Sequence, residues 1–322
     1  MNSLAKQKGV ALFITLLVIS IATLLATEMW FNNKIDIAKQ MNNRAFLQSE
    51  HYAQGMVLWA KDVLRKDAES QASFDNRSEI WNQTINGIQL EDAMLSGNLI
   101  EMDSKFNLNN LVNATGEVAD QVDYFKRLLS NLDLELAISD RIIDWIDANS
   151  EAKPQGAEDL TYLSRPPYYR TPGQALTHLS ELRLIEGIDE STYQRLKQYV
   201  TVIPKSLNSP ETKININLAS TVVLKSLLPE FTTQDAIALY NEGNAAHQTL
   251  DDFFNQGVVQ YHLPGNNNPE RARLRAMIDT QSVWFQAQVN VNMEQSYFQK
   301  YALLKRTGTS TAIQIWSQTP FN

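Results

Sequence analysis

Two patterns divide the start of the chain. Residues 1–9 (MNSLAKQKG) are polar and carry Lys6 and Lys8, whereas residues 10–27 (VALFITLLVISIATLLAT) hold no charge until Glu28. As a helix this apolar run rises roughly 27 Å, about the thickness of a bilayer core. The basic residues ahead of it hold that end in the cytoplasm. The bulk of the chain is therefore expected beyond an inner membrane, in the periplasm. The helical pattern does not stop with the apolar run. No Gly or Pro interrupts residues 10–54, and apolar or small residues recur at three- and four-residue spacing through Phe31, Ile35, Ala38, Ala45, Tyr52, Met56, Trp59 and Val63. That spacing predicts one face of a continuous helix, half span and half spine. A signal peptide cut near Ala22, Ala26 and Thr27 would break this continuity, and a plain signal anchor would not explain it.

Further along, helical periodicity covers residues 120–148, through Val122, Phe125, Leu128, Leu129, Leu132, Leu136, Ile142, Ile143 and Ile146. Two later segments, 179–199 and 214–240, each read as two helices joined by a hairpin. The tail changes period: Val283, Phe285, Ala287, Val289, Val291 and Met293 alternate, and 297–304 and 312–316 follow as strands with a turn at Gly308. Polar clusters at 205–212 and 262–270 read as loops. The predicted fold is α+β. A long N-terminal helix packs on an antiparallel sheet built from residues near 86–111 and 283–316. A helical domain, roughly 112–280, is inserted between the two sheet portions.

Composition narrows the chemistry. The 322 residues are 43% hydrophobic, enough for a sizeable core, and carry a formal net charge of −8 with no Cys. Helix-hairpin-helix units can bind DNA phosphates through exposed backbone N–H groups. Here the first hairpin sets its one glycine, Gly187, among Glu186, Asp189 and Glu190. The second, residues 229–232, has no glycine at all. Acidic hairpins repel phosphate, and the net charge offers no general affinity for nucleic acid. A membrane-anchored DNA receptor is thus disfavoured.

His51, His178, His247 and His262 are scattered, with no metal or triad spacing. The carboxylates Asp144, Asp147, Glu158 and Asp159 have no His nearby to form a hydrolytic metal site, and an oxygen-only set suits calcium better than zinc. Asp147, Asn149 and Glu151 are spaced by two, and Glu158 and Asp159 follow Gly156, which allows a turn. Spacing leaves two readings open. One is a calcium loop; the other is a solvated acidic loop with Asp144 paired to a basic side chain such as Arg141.

The short basic leader ending in Gly9, followed by the uncharged helix, resembles a type IV prepilin. The resemblance implies cleavage between Gly9 and Val10 by a prepilin peptidase and N-methylation of Val10. Loss of Lys6 and Lys8 would take the formal side-chain charge from −8 to −10. Most pilins and pseudopilins carry Glu at the fifth mature position, which here is Ile14. A subunit lacking that carboxylate fits a tip position with no subunit above it.

The segment Asp103-Ser104-Lys105-Phe106-Asn107-Leu108-Asn109-Asn110-Leu111 resembles a signature of the minor pseudopilin K family of type II secretion systems, with the usual glycine replaced. By alternation it reads as a short strand whose Asn side chains bond nearby backbone at a turn. Asp144, Trp145, Asp147, Gly156, Ala157, Glu158 and Asp159 resemble a second stretch of the same family.

That resemblance implies a pilin-like fold with an inserted all-α domain of helix-hairpin-helix or SAM-like units. It implies a structural protein rather than an enzyme, anchored in the inner membrane by a single span. Its expected place is a tip complex with minor pseudopilins I and J, in a pseudopilus that also contains H and the major pseudopilin G and exports folded proteins. It also implies calcium in the helical domain, for which Asp144, Asp147, Asn149, Glu151, Glu158 and Asp159 are the candidates. The domains expected are a leader (1–9), a span (10–27), the spine with the first sheet portion (28–111), the inserted helical domain (112–280) and the closing strands (281–322). A minor tip pilin of a type IV pilus is the nearer alternative.

Overall fold

The computed structural model describes residues 8–70, 74–90, 92–206, 208–293 and 296–321. The leader residues 1–7, Lys6 among them, lie outside the described residues, as does the side chain of Lys8. Helix α1 runs unbroken over Lys8–Glu69, 62 residues. Its apolar first part stays exposed: the span candidate has none of its window buried. Burial begins at Ser49 and continues through Ala53, Met56, Val57, Ala60 and Leu64. This buried stripe lies over the sheet. Trp59, expected on the packed face, remains 45% exposed, because the helix rolls that position to the rim.

Five strands form one antiparallel sheet in sequential order: β1 (Ile85–Leu90), β2 (Ala93–Glu101), β3 (Trp284–Met293), β4 (Ser296–Thr307) and β5 (Ser310–Ser317). Their register sets Gly97 opposite Val289, Ala287 opposite Ala302, and Leu303 opposite Ile315. Alternate residues of β2 and β3 face the helix, so Leu95, Leu99, Phe285, Val289 and Val291 pack with Val57 and Leu64 in one core. Each such large side chain contributes about 1.5–3 kcal/mol on burial. Gly97 is fixed by this approach. A Cβ there would stand 2.8 Å from the Gln288 carbonyl oxygen and 3.5 Å from the Met56 Cε.

The connection from β2 to β3 is the whole helical body. It contains α2 (Ala119–Asn131), α3 (Ala137–Ile146) and α4 (Asp159–Leu163). The two hairpin units follow. A 3-10 turn (Leu179–Leu184) leads to α5 (Glu190–Leu196), and α6 (Thr221–Lys225) pairs with α7 (Thr233–Tyr240). α8 (Leu250–Phe254), α9 (Gly257–His262) and α10 (Pro269–Met277) close it. The helical stretch expected over 120–148 is two helices, because Asp133 takes φ +51 and turns the chain between them.

Phe106, Leu108 and Leu111 join the core of this helical body, and Phe106 stacks on Tyr124 and Phe125. Only Phe106–Asn107 is extended, and it pairs in parallel with Val200–Thr201. The asparagines do more than serve a local turn. Asn107 Oδ1 accepts from the nearby Asn109 N–H and also from Ile203 N–H. Asn109 donates to Leu176 and Ile203 carbonyls at 2.9 and 3.0 Å, and Asn110 both donates to and accepts from Thr212 backbone. Three buried amides thus staple chain segments 67 to 102 residues away, satisfying backbone groups that burial removes from water.

Candidate functional site

Three regions carry function-bearing features: the bare helix, the joint between the two bodies, and the acidic loop. On the bare helix, Val10 is 60% and Ile14 52% exposed. The span carries no carboxylate to pair with a neighbouring ammonium, and its only side-chain hydrogen bonds run from Thr15, Ser20, Thr23 and Thr27 back to the preceding turn. Past the span, Trp30, Phe31, Ile37, Met41, Phe46 and Leu47 extend the apolar surface on a helix that stays exposed through residue 44 among the described residues. A long helix with so much uncovered apolar surface requires lipid or other helices around it.

At the joint the chain leaves the sheet at Glu101–Asp103 and returns at Ser282–Trp284. Acidic side chains hold both crossings. Asp103 Oδ2 accepts from Val283 and Trp284 N–H at 2.6 and 2.8 Å. Glu101 accepts from the Ser282 hydroxyl at 2.7 Å and from Ser104 N–H at 2.9 Å. Arg306, from β4, donates to Asp67 at 3.0 Å, to Asp75 and to the Ser282 carbonyl. One oxygen each from Asp67, Asp75 and Glu79 lie within 4.8 Å of one another, a spacing that could hold a metal ion. Burial pushes Asp67, Glu79, Glu101 and Asp103 toward the neutral form. It raises Asp67 against the pull of Arg306, raises Glu101, raises Asp103 well above the usual range, and lifts Glu79 to about 7.

The acidic loop follows α3. Asp144 is fully buried and accepts from Lys153 N–H. Gly156 is pressed so close that a Cβ would overlap the Asp144 carboxylate at 1.8 Å. The glycine is therefore needed for close approach rather than for its backbone angles. Arg141, the expected partner of Asp144, instead reaches Glu135 and the Glu186 carbonyl. Lys153 Nζ pairs with Glu117.

Asp147 Oδ1 and Glu158 Oε1 are buried with no hydrogen-bond partner among the described residues. Desolvation raises Asp144, Asp147 and Glu158 alike, and for Glu158 the charges of Asp144 and Asp147 add to it. The other candidates fall outside this focus. Asn149 Oδ1 caps Glu151 N–H, the Glu151 side chain is exposed, and Asp159 is tied to Arg170 and to Thr171 N–H. Among the described residues, three carboxylates of this loop do not come within the 4.8 Å span that the joint cluster shows.

The joint had no sequence signal as a site. Asp67, Asp75, Glu101, Asp103 and Arg306 are distant along the chain, and only the sheet brings them together.

Comparison with known proteins agrees with this architecture. Residues 104–205 match the family model described as type II secretion system (T2SS), protein K. The chain is 31% identical to type II secretion system protein K of Pseudomonas aeruginosa, over 77% of this chain and 76% of that one. It is 27% identical to type II secretion system protein K of Klebsiella pneumoniae, over 96% and 95%. The fold matches a chain of the solved GspK-GspI-GspJ complex from the enterotoxigenic Escherichia coli type 2 secretion system. The TM-score is 0.73 at 20% identity, covering 87% of this chain and 98% of that one.

Proposed function

The chain belongs to the type II secretion system protein K family, and from that membership we propose that it works as the minor pseudopilin at the tip of the secretion pseudopilus, bound to minor pseudopilins I and J. The family is one of structural components, not enzymes. The observation that carries the reading is α1 itself: one helix whose apolar half is bare while its far half is built into the sheet. Such a helix packs side by side with others like it. The helical body, filling the β2–β3 connection, then caps the assembly. Ile14 supports the terminal place, since a subunit with no carboxylate there has none to offer a subunit above. H and the major pseudopilin G are reached through I and J.

Anchorage and processing complete the proposal. The leader ends at Gly9, and prepilin peptidase cuts before Val10 and methylates it. Residues 10–27 stay in the inner membrane, with the rest in the periplasm. Residues 28–111 and 281–322 form the pilin-like part and 112–280 the inserted domain, with the packing of Phe106, Leu108 and Leu111 favouring an earlier edge near Met102.

Calcium is the ion proposed for the acidic loop. Its donors are all oxygen, and two of them, on Asp147 and Glu158, are buried and unpaired. Asp144 shapes the loop beside them. Calcium supplies charge compensation there and has no chemical step to perform.

The experiment is assembly. A fragment lacking residues 1–30 is expected to co-elute with pseudopilins I and J in size-exclusion chromatography, without salt-sensitive binding to duplex DNA. Failure to bind either pseudopilin would sink the tip assignment. Mass spectrometry of membrane-extracted protein is expected to show methyl-Val10 at the N-terminus, and Gly9→Val to leave the precursor uncut.

A further inference from the structure

We propose that Asn86–Gly87, in the outer strand β1, is a self-modifying site at which the chain converts an asparagine amide to an acid by spontaneous deamidation. In this reaction the Gly87 backbone nitrogen attacks the Asn86 side-chain carbonyl carbon. A carbon–nitrogen bond forms, the Cγ–Nδ2 bond breaks, and ammonia leaves carrying the former peptide proton. Water then opens the cyclic imide at one of its two carbonyls, leaving aspartate or isoaspartate. The net change consumes one water and releases one ammonia, with no oxidant, metal or enzyme. Two conditions control the rate: the attacking nitrogen must belong to a residue without a side chain in the way, and the backbone must be free to leave strand geometry.

Both conditions meet at this position. Asn86–Gly87 is the one Asn-Gly pair in the sequence. The ladder between β1 and β2 pairs Ile85 with Gly97 and Ile88 with Leu95, so the two residues between have no cross-strand partner. Gly87 sits at φ +74, and nothing lies within 4 Å of where its Cβ would be. Asn86 is exposed, and its amide makes no hydrogen bond among the described residues. Several other asparagines are held. Asn107, Asn109 and Asn110 are buried and bonded. Asn76 and Asn113, nearer the surface, each use Oδ1 to accept the N–H two residues on.

The product matters because of where it forms. Strand β1 reads INGIQL, carries no charge, and is held by β2 alone. Aspartate would put the first negative charge on that edge, and isoaspartate would lengthen its backbone and disturb the pairing beyond the bulge.

The test uses the full chain in detergent, incubated in mildly alkaline buffer at physiological temperature and followed by peptide mass mapping. The peptide holding residues 85–90 is expected to gain the mass of an amide-to-acid conversion, with isoaspartate detected by isoaspartyl methyltransferase labelling. Peptides holding Asn76 and Asn113 are expected to stay unchanged. Gly87→Ala is expected to slow the conversion by about an order of magnitude, since a Cβ obstructs the attack and is strained at positive φ. Asn86→Gln, which keeps an amide but forms a larger ring, is expected to abolish it without disturbing the fold. Conversion at Asn86 no faster than at Asn76 or Asn113 would overturn the proposal. So would a rate in the folded chain far below the rate in denaturant, which would mean that the strand protects the amide.

Discussion

The joint and the loop are both acidic and both partly buried, yet they solve the same electrostatic problem in opposite ways. At the joint, Arg306 lies between Asp67 and Asp75, with both its side chain and theirs less than a tenth exposed. The cation is part of the chain. In the loop Arg141 is committed to Glu135, Lys153 to Glu117 and Arg170 to Asp159, and oxygens on Asp147 and Glu158 have no hydrogen-bond partner among the described residues. Carboxylates within 4.8 Å of one another therefore mark the less promising ion site of the two. A divalent ion at the joint must compete with a guanidinium already bonded there, whereas an ion in the loop would meet two acceptors, on Asp147 and Glu158, that no described donor occupies. Buried acceptors without a donor, rather than proximity of acids alone, are what a cation would satisfy.

The largest effect expected from breaking this contrast is at Arg306. Arg306→Met keeps most of the volume and removes the charge, leaving Asp67 and Asp75 buried and uncompensated. Removing one partner of a buried ion pair costs about 3–5 kcal/mol, and equilibrium denaturation of the soluble fragment is expected to show a loss of that order. Loss of less than a kcal/mol would mean that the joint acids are already neutral and that Arg306 acts only through packing on Phe285, whose ring lies 5.0 Å from its guanidinium carbon.

Calcium comes next. If the loop binds it and the unfolded chain does not, free calcium at a hundred times its dissociation constant adds about 2.7 kcal/mol. Melting with calcium and with chelator is expected to differ accordingly. Asp147→Asn with Glu158→Gln is expected to erase the difference while sparing the chelated form, whose strained acids those changes relieve. Calorimetry with no heat of binding, together with one melting temperature in both buffers, would contradict the calcium assignment. Asn149, Glu151 and Asp159 are expected to matter little, since their side chains are occupied or exposed.

The sequence was informative where physics is local. An uncharged run, an unbroken helical period and a two-residue alternation in the tail led directly to α1 and to the sheet, and the insertion between 86–111 and 283–316 follows from where those periods change. The turn at Asp133 was hidden, because 120–148 keeps its apolar spacing straight through it. The asparagines of the FNLNNL run read as turn formers because their distant partners, Leu176, Ile203 and Thr212, cannot be seen from a local pattern. At the loop, spacing weights Asp144, Asp147, Asn149, Glu151, Glu158 and Asp159 equally. Only the folded structure separates Asp147 and Glu158, left open, from Asp159, neutralised by Arg170. The joint was invisible for the same reason, since five residues from four stretches of chain converge only after the sheet has formed.

The smallest effect expected is a pH dependence that belongs to the joint alone. Glu79 stands near Asp67 and Asp75, accepts from the Trp81 indole N–H, and is raised to about 7, with burial as the leading cause. A folded carboxyl raised above its unfolded value binds its proton more tightly when folded. Its contribution to stability is therefore full below the ordinary glutamate range and falls as pH rises through about 7. Asp67, Glu101 and Asp103 are shifted in the same direction, so Glu79 supplies only part of the slope. Glu79→Gln keeps an acceptor for Trp81 and cannot titrate, and is expected to flatten the decline in stability between about pH 5 and 7 relative to the parent chain. Denaturation midpoints across that range, with calcium present throughout so that the loop stays compensated, measure the difference. Identical slopes for the parent chain and the variant would place the Glu79 titration outside this window and leave the pH dependence of the joint to Asp67, Glu101 and Asp103.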